Sequence, residues 1–167
     1  MQAKMFRTLL PMALLFLIVS CSSSDATEDD IVTTNSELVT SYDYDAIEVK
    51  LLEMLNEHRR SLGLNPLQTI NHISYKSEEH NEYMIKNNVV NHDHFAERSQ
   101  NLMQVLGAKT VSENVAYSYA TPVAAFNAWM KSPEHRANIE GNFTHFGISV
   151  RQGENGKKYY TNMFIKV

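Results

Sequence analysis

Cysteine is almost absent: Cys21 is the only one in 167 residues. A domain downstream of it has no thiol to pair, so no disulfide framework is available and a packed core must hold the fold. Basic residues are also few, 15 against 19 acidic. No basic stripe runs along the chain and no basic–aromatic interleaving, which speaks against nucleic acid as a partner. There is no internal repeat and no glycine-rich phosphate loop. Ser112 and Ser132 lack the turn that would mark a nucleophile. The one long apolar run, Leu9 to Val19, is broken by Pro11 and is too short to span a bilayer comfortably.

That run follows Lys4 and Arg7, the pattern of a signal peptide over residues 1–20. Leu17-Ile18-Val19-Ser20-Cys21 resembles a bacterial lipobox, which implies cleavage before Cys21 and diacylation of its thiol. Several acyl chains on one residue give lasting membrane anchorage. Removal of the leader leaves 13 basic residues against 19 acidic ones. Residues 21–41, with Ser22-Ser23-Ser24-Asp25 and Glu28-Asp29-Asp30, read as an acidic flexible tether. The expected place is the cell envelope, outside the cytoplasm, on the outer membrane or cell surface.

The domain then occupies residues 42–167. Ile47, Leu51, Leu52, Leu55 and Leu62 recur at helical spacing over Asp45 to Leu62. A second helix is expected over Asn71 to Asn87, burying Ile73, Met84 or Tyr83, and Ile85, with Lys76, Glu78 and Glu79 outward. A third covers Glu97 to Leu106. Val111 to Tyr119 alternates as a strand. Thr121-Pro122 and Ser132-Pro133 each pair a hydroxyl cap with proline at the first helical position. The first opens a helix that presents Phe126, Trp129 and Met130, with Trp129 read as core. The second opens a turn over His135 to Ile139. Phe146 to Arg151 and Tyr159 to Lys166 form a β-hairpin around Asn155-Gly156. The class is α+β, with a small antiparallel sheet and a monomer expected.

Two imidazoles and a carboxylate make the ligand set of an open zinc-type site. His92, Glu113 and His135 supply that set, from three separate blocks. Those blocks are Val90-Asn91-His92-Asp93-His94-Phe95, Ser112-Glu113-Asn114-Val115-Ala116, and Trp129 through Ile139. With Leu55-Asn56-Glu57-His58-Arg59 and Phe143-Thr144-His145-Phe146-Gly147 they stand in the order of the CAP superfamily, which they resemble in its bacterial SCP-domain form. The resemblance implies a three-layer α-β-α sandwich and a cleft built by His92, Glu113 and His135, often holding zinc or another divalent metal. Ser132 stands where many relatives carry a second glutamate, and Glu134 is its neighbour. Asn162 replaces a common glutamine.

His94 follows His92 by two residues, so in an extended segment both rings would face one side, as a spare ligand or as part of the rim. His145 is expected on a strand beside the sheet, and His58, His72 and His80 on helix surfaces. Arg136 and Asn138 are expected to fix the loop. Two functions follow: a lipid-anchored binding module for an extracellular ligand, or a metal-assisted hydrolase of peptides or cell-wall material.

Overall fold

The structure is a computed structural model that describes residues 37–167. The leader, Cys21 and most of the expected tether lie outside the described residues. The helices are α1 (Ala46–Ser61), α2 (Asn71–Asn87), α3 (Phe95–Leu106), α4 (Pro122–Lys131) and α5 (Pro133–Glu140). The strands are β1 (Gln68–Thr69), β2 (Thr110–Tyr117), β3 (His145–Gln152) and β4 (Lys158–Lys166).

They form one sheet in the order β1-β3-β4-β2. The three long strands are antiparallel, as expected. The two-residue β1 adds a parallel edge on β3 that no alternation announced, since two residues carry no period.

The layers follow from strand alternation. On β4, Tyr160 and Phe164 join a cluster with Leu51 and Leu55 of α1, Ala125 and Trp129 of α4, and Ile139 of α5. Met163 and Ile165 point the other way, to Ile73 of α2 and Leu102 of α3. The result is the α-β-α sandwich that the sequence implied. Gly147 of β3 lies under α2 so closely that a Cβ would stand 2.7 Å from Ile73.

Three caps set the helix starts. Asp45 and Glu48 close a capping box on α1. Thr121 caps α4 through the Ala124 N–H, and Ser132 caps α5 through the His135 N–H. Glu48 is then spent again: its Oε1 accepts from Val150 N–H at 2.7 Å and Arg151 Nη1 at 2.8 Å.

Several surface assignments change. Lys76 is buried, its ammonium over the Tyr75 ring and paired with Glu79 at 2.7 Å. Long lysine stems can lie along apolar surface in this way. Leu62 is exposed because it caps α1 and leaves its stripe. His72 and His80, expected on the surface, are both buried within α2. Residues 39 and 40, expected in the tether, hydrogen-bond to α2 instead.

Trp129 is 1% exposed, and its indole N–H donates to the Val115 carbonyl at 3.1 Å. Trp129→Ala is expected to cost roughly 3–5 kcal/mol by urea denaturation. Trp129→Phe keeps most of the bulk but leaves that carbonyl unpaired, an expected loss of about 1–3 kcal/mol. Equal stability of the Phe variant and the wild type would remove the hydrogen bond from this account.

Candidate functional site

Glu113 lies on β2 with its side chain 1% exposed. Arg98 of α3 meets it in a fork: Nε donates to Oε2 and Nη2 to Oε1, both at 2.9 Å. A third Arg98 nitrogen, Nη1, donates to the Asp93 carbonyl at 2.7 Å and so fixes the loop before α3. That loop carries His92, whose Nδ1 meets Glu113 Oε1 at 2.8 Å. An ionised carboxylate only accepts, so Nδ1 carries the proton and Nε2 keeps its lone pair. The His92 side chain is 53% exposed, which opens that nitrogen to solvent.

His80 of α2 stands behind this pair, its Nε2 3.8 Å from Glu113 Oε1 and 2.9 Å from the Asn91 carbonyl. The carbonyl fixes Nε2 as a donor. Burial chiefly holds the His80 pKa below the ordinary imidazole value. A cavity of about 280 Å³ lies against these groups, lined by His92, Phe95, Val111, Ser112 and Glu113.

His135 enters from the opposite helical layer, in α5. Burial chiefly lowers its pKa, with a smaller lowering from His92. Asn114 holds this side. Its amide donates to the His135 carbonyl at 3.0 Å and its oxygen accepts from Asn138 at 2.8 Å.

The expected trio is therefore partly assembled. His92 and Glu113 are in direct contact, and His135 on α5 is tied to the same strand through its carbonyl and Asn114. Both Glu113 oxygens are turned to N–H donors of Arg98 and His92, so the carboxylate orients the ring. Among the described residues, no group of three or more histidine, cysteine or acidic side chains is placed to hold a metal ion.

His94 is not a spare ligand beside His92. It adopts a left-handed backbone (φ 59°) at the start of α3, which breaks the extended geometry that would have aligned the rings. Its ring packs edge-on against Tyr83 at 4.9 Å, as part of the rim. Arg136 pairs with Glu140, and His58 meets the same carboxylate at 2.9 Å. These two hydrogen bonds lower the Glu140 pKa. His145 sits at the start of β3, bonded to Thr144.

Residues 52–164 match the cysteine-rich secretory protein family, the C of CAP. The chain belongs to that family. Among curated proteins it is 33% identical over 133 residues to the uncharacterised protein YkwD of Bacillus subtilis, covering 77% of this chain and 51% of that one. It is 30% identical over 129 residues to the uncharacterised membrane protein YlbC of the same organism, covering 71% of this chain and 34% of that one. The chain thus spans about half or less of these relatives. Among solved structures, an outer surface protein of Borrelia burgdorferi superposes with TM-score 0.68 at 19% identity, over 75% of this chain and 96% of that one. An extracellular SCP-domain protein of Bacillus anthracis superposes with TM-score 0.63 at 24% identity, over 76% and 45%. These likenesses carry the CAP fold.

Sequence reading missed Arg98 and His80 in this family member. A signal existed for each: Arg98 interrupts the apolar stripe Phe95, Leu102, Leu106, and His80 lies in line with Ile73, Ser77 and Met84.

Removing Arg98 leaves a buried, half-paired carboxylate. Arg98→Met is expected to cost roughly 3–5 kcal/mol, and adding Glu113→Gln to recover part of it. A double variant no more stable than Arg98→Met would count against the pair as the source. A second expectation concerns pH. His72, His80 and His135 all have folded pKa values lowered chiefly by burial. Below about 6.5 the unfolded chain binds protons that these folded rings resist, so stability falls as pH drops from there. Urea midpoints at pH 7.5 and 5.5 check the sign; an unchanged or rising midpoint at pH 5.5 contradicts it.

Proposed function

We propose that this CAP domain is an extracytoplasmic binding module, tethered to a membrane through lipid on Cys21, whose cleft engages its ligand at the open Nε2 of His92. The observation that carries the reading is the full use of Glu113 by Arg98 and His92. The carboxylate is engaged in orienting a ring rather than left bare in the cleft. The cavity sets the polar His92, Ser112 and Glu113 beside the apolar side chains of Phe95 and Val111. A few polar points on an apolar wall suit recognition. Extracytoplasmic placement is supported by the leader pattern and by surface and extracellular proteins among the structural neighbours.

The hydrolytic alternative keeps one support, the carboxylate-oriented imidazole, which is a sound general base. Fluorescent casein and peptidoglycan fragments, offered with and without zinc, are expected to show no turnover above a His92→Ala control. Turnover that disappears in that control would replace the binding reading with the hydrolytic one. Two imidazoles are the donors left for a divalent ion. Zinc titrated calorimetrically is therefore expected to bind weakly, and to lose that binding in His92→Ala and His135→Ala; tight binding indifferent to both would move the metal elsewhere. Cys21→Ser is expected to shift the protein from the membrane to the soluble fraction.

A further inference from the structure

Residues 37–45 run as a strap from the expected tether into α1, and the strap is held against α2 by named hydrogen bonds. Val39 N–H donates to His72 Nδ1 at 3.1 Å. The Asn71 amide donates to the Thr40 carbonyl at 2.7 Å. Further along, the Tyr44 hydroxyl meets Asn71 Oδ1 at 3.2 Å and Ser74 Oγ at 2.8 Å. Tyr42 is held by Glu48 at 3.0 Å and Arg151 at 2.8 Å. The strap therefore has two sections. The tyrosine section rests on Asn71, Ser74, Glu48 and Arg151. The first section rests on an imidazole at Val39 and on the Asn71 amide at Thr40.

The proton inventory of that imidazole is determined. A main-chain N–H can only donate, so His72 Nδ1 must be bare. The proton then sits on Nε2, which donates to Asn101 Oδ1 at 2.7 Å. A second proton has only Nδ1 to go to. There it would point at the Val39 N–H, donor against donor, inside a fully buried ring. The charged ring and the docked first section exclude each other.

We propose that protonation of His72 releases residues 37–41 from α2, so that acidification lengthens the segment joining this domain to the chain before it. Five residues freed to extend add roughly 17 Å of reach. The device is independent of the His92 cleft. It makes the distance between the domain and its expected anchor a function of pH.

The groups acting on His72 can be named element by element. On α2, Lys76 opposes protonation and Glu79 favours it, and the two are paired with each other. Tyr75 stacks tilted at 6.4 Å. From α3, Asn101 contributes a neutral amide. On the strap, the nearest carboxylate along the chain is the exposed Glu37. Burial is the largest of these influences and lowers the pKa of the ring.

Hydrogen exchange on the full chain tests the proposal, read by mass spectrometry on peptides covering residues 37–41 and corrected for intrinsic rates. Protection is expected to fall tenfold or more between pH 7.5 and 4.5 in the wild type. His72→Asn keeps an acceptor near the Nδ1 position and cannot titrate, so it should show no such fall. Equal protection at both pH values in the wild type overturns the proposal, and so does an equal fall in His72→Asn, which would assign the effect to a carboxylate. In case the variant fails to dock the strap at pH 7.5, the ring nitrogens of wild-type His72 are followed by NMR. Their titration midpoint must coincide with the loss of Val39 protection, and separate midpoints refute the latch.

Discussion

One buried carboxylate organises the functional end of this molecule. Glu113 could not lie at 1% exposure as a bare charge, since desolvating an ion costs several kcal/mol. It is tolerated because Arg98 arrives with a planar fork that matches its two oxygens. That requirement places α3 against β2. The same guanidinium holds the Asp93 carbonyl, so the loop between α2 and α3 is fixed as well. His92 is then delivered with a defined tautomer, its second nitrogen facing the cavity. The orientation of the exposed ring is a consequence of the buried pair behind it.

The sheet faces a different problem, because an open edge invites pairing with other chains. Side chains cover both edges. On β2, the Val115 carbonyl accepts from Trp129 and the Glu113 carbonyl from Asn138. On β3, beyond the short β1, Ile148 N–H is taken by Ser74 and Val150 N–H by Glu48. Each covering residue comes from a different helix, so edge protection and layer packing are the same contacts. This is how a member of a family named for its cysteines can hold its layers with no thiol in residues 42–167. Polar side chains from the helices do the cross-linking, and the two apolar clusters supply the burial.

Most of the fold was legible because its signals are local or periodic. Thr121-Pro122, Ser132-Pro133 and Asn155-Gly156 announce starts and a turn through short-range chemistry, and each is found where it was read. The apolar stripe of α1 and the alternation of β2 and β4 are equally direct. What escaped reading depends on a partner remote in sequence. His72 and His80 look like surface residues until Asn101 and Asn91 are seen to satisfy them. Arg98 looks like a break in a stripe until Glu113, fifteen residues on, is placed before it. His94 failed for a third reason: one left-handed residue cancels the alternation on which its placement rested. The contact of His92 with Glu113 joins two of the candidate positions, while the Arg98 fork behind Glu113 was not legible, since its cation lies on a separate helix.

The adjacency of Glu113 and Asn114 carries the site across the sheet. Consecutive side chains on a strand point to opposite faces. Glu113 therefore faces α2 and α3, where it holds Arg98 and His92. Asn114 faces α5, where it holds the His135 carbonyl and Asn138. Two neighbouring residues thus fix two histidines that arrive from opposite helical layers, and they do so at an edge strand, where the layers can meet without a strand between them. A shift of β2 along its ladder by one residue would exchange the two faces, burying the amide under α3 and turning the carboxylate toward α5. The pairing of eight residues between β2 and β4 guards against that slip. The cleft is set by the register of one strand, and the register is set by the apolar residues that alternate along it.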